Sequence, residues 1–138
     1  LSNAMLLEKC MSFAADGAYG KFAELGRAIG AADSAMSDRS AAKAFVSALG
    51  EMCSICEVPT LLEYGIDKSE FMAAAGKMAA DAVASGSPSN TIKEISKENV
   101  LEIYASLWNW YYYKWYSCLP YCLNDIKNVC YHKMVMPD

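Results

Sequence analysis

Ser37-Asp38-Arg39-Ser40-Ala41-Ala42-Lys43-Ala44-Phe45-Val46-Ser47-Ala48-Leu49-Gly50-Glu51-Met52-Cys53-Ser54-Ile55-Cys56, followed at once by Glu57-Val58-Pro59, decides the fold class. Ser37 has the side chain of an N-cap, an oxygen able to accept from an amide in the first turn. Behind it Phe45, Leu49, Met52 and Cys56 recur at steps of four, three and four, the spacing of one helix face. Ala41, Ala44 and Ala48 are small enough to let neighbouring helices approach. Val58-Pro59 ends the run, because Pro lacks the amide and biases the residue before it to extended geometry. The spacing predicts a helix over Asp38–Cys56.

The same signals recur on both sides. Leu6–Ala14 reads as a short helix closing in Asp16-Gly17. Tyr19–Ile29 is a second, with Phe22, Leu25 and Ile29 on one predicted face and Gly30 at the C-terminal cap. Beyond the central helix, residues 60–64 fit a single turn. Asp67-Lys68-Ser69-Glu70 has the pattern of a capping box, ahead of a stripe of Phe71, Ala75, Met78, Ala79 and Ala82. Ser85–Asn90 is a loop signal. Ser96 caps a further helix with Val100, Ile103, Tyr104, Leu107 and Trp108 facing inward. Strict alternation is missing throughout, so the expected fold is all-α, a small multi-helix bundle-like domain.

Composition narrows the function classes. The chain has 138 residues, enough for one domain with one core. Its net charge of −4 argues against an electrostatic grip on nucleic acid, which needs clustered Lys and Arg. The densest apolar stretch, Leu107–Leu123, is interrupted by Asn109, Lys114 and Pro120, so no membrane span is expected. No basic stretch leads into an apolar run at the N-terminus, so no secretory signal is expected either. Six cysteines then read as reduced thiols in the cytoplasm. The composition changes near Trp108: Trp108–Tyr116 holds seven aromatics in nine residues, and three cysteines and the sole His follow. Residues 1–107 are therefore taken as the helical domain and 108–138 as an aromatic- and Cys-rich tail of unknown role.

Few residues carry chemistry. Cys53-Ser54-Ile55-Cys56 has the Cys-x-x-Cys spacing, but both cysteines fall near a helix C-terminus, where the dipole disfavours a thiolate. Packing is the better reading. A zinc site joining Cys53 and Cys56 to Cys118 and Cys122 lacks the tight knuckle such sites use, and Cys130 and His132 are equally arbitrary partners. His132, six residues from the end, reads as a terminal His. Gly17-Ala18-Tyr19-Gly20 is a turn between helices and not a phosphate loop. The aromatic block has only Lys114 to support base stacking and reads as apolar cover. No carboxylate pair demands acid–base work. The expected catalytic, cofactor and metal residues in this chain are none.

A family resemblance adds to this. Leu1-Ser2-Asn3-Ala4-Met5-Leu6-Leu7 resembles the segment after the His-Gly metal-binding motif of iron-dependent (group III) alcohol dehydrogenases. Val58-Pro59-Thr60-Leu61-Leu62-Glu63-Tyr64-Gly65-Ile66 is similar to that family's Ile-Pro-x-x-Leu-x-x-x-Gly-Ile element. Ser89-Asn90-Thr91, with Ser96 through Tyr104, resembles its closing loop and helix, and Phe22-Ala23-Glu24-Leu25 also fits. The match runs in order from Leu1 to Leu107. It implies the C-terminal part of the helical domain of a two-domain oxidoreductase acting on alcohols. In such proteins an α/β domain binds NAD(P), and one Asp and three His of the helical domain hold iron or another divalent metal. On this resemblance the chain starts just after the last His ligand, includes neither the four ligands nor the nucleotide-binding half, and is expected to be inactive alone. The loop at Asn90 lacks the Pro-Arg common in relatives, and the chain runs on 31 residues past Leu107, so no catalytic residue carries over. The alternative is a non-catalytic helical interaction module, homo-oligomeric through exposed apolar surface or the aromatic tail.

Overall fold

The computed structural model divides into two units, Leu1–Trp108 and Asn109–Asp138, and residues 1–108 are the ones described. They hold five α-helices and no strand: α1 (Ser2–Ala15), α2 (Tyr19–Ala28), α3 (Asp38–Ile55), α4 (Lys68–Ala84) and α5 (Lys97–Ser106). The all-α class read from the periodicity is confirmed. The helices associate as two pairs, α2 with α3 and α4 with α5, and α1 packs on α3 and α5.

Caps explain most of the boundaries. Ser37 Oγ accepts from the Ser40 amide at 3.2 Å. Asp67 Oδ1 accepts from the Glu70 amide at 2.9 Å. The two-way box forms at Ser96–Asn99, where each side chain accepts from the other residue's amide at 3.1–3.3 Å. Thr60 and Glu63 form another, which closes the single turn after Pro59. Helix α1 starts four residues before the expected Leu6, because the Leu1 carbonyl accepts from the Ala4 and Met5 amides and no side-chain cap is needed. The expected loop at Ser85–Asn90 contains a 3₁₀ turn over Ser87–Asn90, with Pro88 near its start.

Three turns end in the same way. After α2 the Gly30 amide reaches the Arg27 carbonyl and the Ala31 amide reaches that of Gly26. After the 60–64 turn the amides of Gly65 and Ile66 reach Leu62 and Leu61. After α3 the amides of Glu57 and Val58 reach Ser54 and Cys53. This pair of bonds requires a left-handed residue at its centre, usually glycine. Gly30 and Gly65 supply it at φ +74° and +89°, but the third turn places Glu57 at φ +53°.

The buried faces of α2 and α3 differ from the expected ones. In α2, Phe22 is buried as predicted, but Leu25 and Ile29 are 48% and 56% exposed, and Ala23 and Gly26 take the inner face. In α3, Ala41, Ala42, Val46 and Cys53 are buried, Phe45 and Leu49 are half-buried, and Met52 and Cys56 are exposed. The cause is close backbone approach. A Cβ on Gly26 would stand 2.7 Å from the Ala41 carbonyl oxygen. Contact that tight turns the small residues inward and the long ones outward. One cluster follows from it, Ala23, Ala32 and Ala41 with Ala44. Another joins Ala15, Phe22, Ala42 and Val46, and there the Phe22 and Phe45 rings meet edge to face at 5.8 Å.

The second pair follows the predicted stripes. Ala75 and Ala79 of α4 are buried, with Phe71 and Met78 half-buried. Val100, Ile103 and Leu107 are buried opposite. Phe71 lies edge-on to both Tyr104 and Trp108, with ring centroids 5.7 and 5.6 Å away. Such pairs contribute about 0.5–1.5 kcal/mol beyond their buried area.

Candidate functional site

Four constellations could carry chemistry in residues 1–108: the cysteine pair at the end of α3, the aromatic group between α4 and α5, the lysine at the end of α1, and the arginine between α2 and α3.

The last turn of α3 sets the two cysteines apart. Cys53 is buried and its Sγ donates to the Ala4 carbonyl of α1 at 3.8 Å, so this thiol packs as expected. Burial pushes the Cys53 thiol up, and the nearby Cys56 and Glu8 add to the shift. Cys56 departs from the packing expectation: it caps the helix and is exposed. Cys118, Cys122, Cys130 and His132, weighed as metal partners, lie outside the described residues, as does Lys114 of the aromatic block.

At the aromatic group, Lys68 Nζ stands 6.0 Å from the Trp108 ring centroid. That is at the outer limit of a cation–π contact. The arrangement is a packing unit with one cation at its rim.

Lys93 combines two hydrogen bonds with a cation–π contact. Its Nζ donates to Asp16 Oδ2 at 2.8 Å and to the Phe13 carbonyl at 3.4 Å, and lies 4.1 Å from the Phe13 ring centroid. It fastens the segment before α5 to the end of α1, where the carbonyl end of the helix dipole also favours a cation. Arg27 does similar work between α2 and α3, donating to the Met36 carbonyl at 2.8 Å and to Asp38 Oδ1 at 3.0 Å. Both sites are structural ties. Neither was legible beforehand, because a lone Lys or Arg in a loop or last turn has many possible partners.

Among the described residues no group of three or more His, Cys, Asp and Glu is placed to hold a metal ion. None of these residues is a histidine. No helix among them is long and apolar enough to cross a membrane.

Residues 1–108 define an all-α domain built on alanine contacts, with Lys93 and Arg27 tying its segments together. Residues 1–108 match the Fe-containing alcohol dehydrogenase family, C-terminal, and the chain belongs to that family. The resemblance carried by residues 1–7, 58–66 and 89–104 is thereby confirmed. No curated protein and no solved structure matched the chain. The family implies iron and NAD(P), and residues 1–108 do not fit either group. Their donors include no imidazole, no metal-ligand set converges, and no strand leads into a glycine-rich turn.

Proposed function

We propose that residues 1–107 are the C-terminal helical part of a metal-dependent, NAD(P)-linked alcohol dehydrogenase, and that this chain alone turns over no alcohol. The observation that supports the reading is the donor inventory just described, set beside the family match over residues 1–108. The metal ligands and the nucleotide site then belong to residues other than 1–108, and this domain's contribution is shape and stability. Residues 108–138 form the aromatic- and Cys-rich tail, and the chain works in the cytoplasm.

Binding tests this directly. Purified chain should leave NADH fluorescence unchanged, and should retain no stoichiometric ferrous iron after anaerobic dialysis. Saturable NADH binding would contradict the proposal.

A second reading has support in the exposed apolar side chains. Leu25, Ile29, Ile55, Leu62 and Tyr64 are between 48% and 82% exposed. Where such side chains adjoin, as residues four apart on a helix face do at Leu25 and Ile29, the apolar surface suits an interaction site. On that reading the chain is a non-catalytic oligomerisation module. Light scattering separates the two, since the module should have a dimer mass or larger that falls to a monomer's on Leu25→Lys with Ile29→Lys.

A further inference from the structure

We propose that Cys53 and Cys56 form an oxidant-sensitive thiol pair whose closure to a disulfide opens the last turn of α3 and releases its anchor on α1. The inference starts from the unequal roles of the two thiols. Cys53 is buried and tied to the Ala4 carbonyl of α1, 49 residues away in sequence. Cys56 is exposed at the cap, so burial does not account for it.

Geometry sets the cost of joining them. The Cys56 amide still bonds to the Met52 carbonyl, so Cys56 remains on the helical ladder. Side chains three apart on a helix have Cβ atoms about 5–6 Å apart. A disulfide needs them at about 3.5–4.5 Å. Closure therefore demands that the turn deform, and the turn is suited to it. Glu57 holds a left-handed conformation at φ +53°, which opening would relieve. The bonds from Glu57 and Val58 to Ser54 and Cys53 are those that would break. A disulfide under such constraint is easily reduced, the property of reversible pairs. The helix dipole discourages thiolate formation at this end of α3. That slows the reaction without forbidding it.

With glutathione disulfide as oxidant the steps balance. The Cys56 thiolate attacks one sulfur, the glutathione S–S bond breaks, and one glutathione leaves, taking the proton Cys56 gave up. The Cys53 sulfur then attacks Cys56 Sγ, and the second glutathione leaves with the Cys53 proton. Two protein thiols are oxidised, and one glutathione disulfide is reduced to two glutathione molecules.

The test uses the full chain, incubated with glutathione disulfide under native conditions, acid-trapped and digested. The peptide holding both cysteines should lose the mass of two hydrogens and carry no glutathione. Hydrogen exchange at the Glu57 and Val58 amides and in the first turns of α1 should rise severalfold, and return to its starting rate on reduction. Cys56→Ser, a change at an exposed position, should abolish both effects. Accumulation of a Cys56–glutathione adduct alone, or no oxidation of the pair while other thiols react, would overturn the proposal. So would a disulfide that leaves exchange in α1 unchanged.

Discussion

Gly26 of α2 and Ala41 of α3 meet so closely that a Cβ on Gly26 would stand 2.7 Å from the Ala41 carbonyl oxygen and 3.3 Å from the Phe45 Cβ. Backbone atoms cannot swing aside as a side-chain tip can. Gly26→Ala should therefore force the pair apart and cost about 1–3 kcal/mol. Urea unfolding of the two proteins measures it. Gly76→Ala is the control, since nothing lies within 4 Å of its Cβ position. In the middle of a helix, that change should stabilise by roughly 0.5–1 kcal/mol.

Glu57 occupies a position that glycine fills in the two equivalent turns. A left-handed conformation costs a non-glycine residue about 1–2 kcal/mol. Glu57→Gly should raise the melting temperature, and Gly30→Ala should lower it. Opposite signs from the same turn geometry make the pair a stringent comparison in differential scanning calorimetry.

The caps should be worth measurable stability. Asp67→Ala and Ser96→Ala each leave an amide of the first turn without its acceptor. Each should cost about 0.5–2 kcal/mol in chemical denaturation. The signals that announced α4 and α5 in the sequence were these caps, and the inward stripes behind them were also read correctly. Bulky apolar residues recur there at helical spacing and are the ones that pack. The same rule misplaced the faces of α2 and α3. Leu25, Ile29 and Met52, placed on inner faces by their spacing, are exposed, while Ala23, Gly26, Ala41 and Ala42 are buried; of these the sequence marks only Ala41, as a small residue at a close approach. Hydrophobic periodicity weights size, whereas this contact is chosen by smallness. The ties made by Lys93 and Arg27 depend on three-dimensional proximity, which no local pattern announces.

Alkaline pH should destabilise the domain through its thiols. Burial raises the Cys53 thiol above its ordinary value of 9.0, and the Cys10 thiol shifts the same way. Tyr104 is also raised from 10.0 by burial. For a group whose folded value lies above its unfolded one, the folded state binds more protons between the two. Stability is then fully present below the unfolded value and is lost as pH rises through the folded one. Unfolding free energy should fall from about pH 9 upward. Cys53→Ala should make that fall shallower, leaving the part due to Cys10 and Tyr104.

The most direct measurement is anaerobic turnover. Purified chain is mixed with ferrous or zinc ion, NAD⁺ or NADP⁺ and a series of short alcohols, and absorbance of the reduced nucleotide is followed. The predicted result is a rate equal to that without protein for every metal, nucleotide and alcohol. Reduction of the nucleotide that requires both chain and metal would contradict the reading of this helical domain as a part whose chemistry lies in other residues.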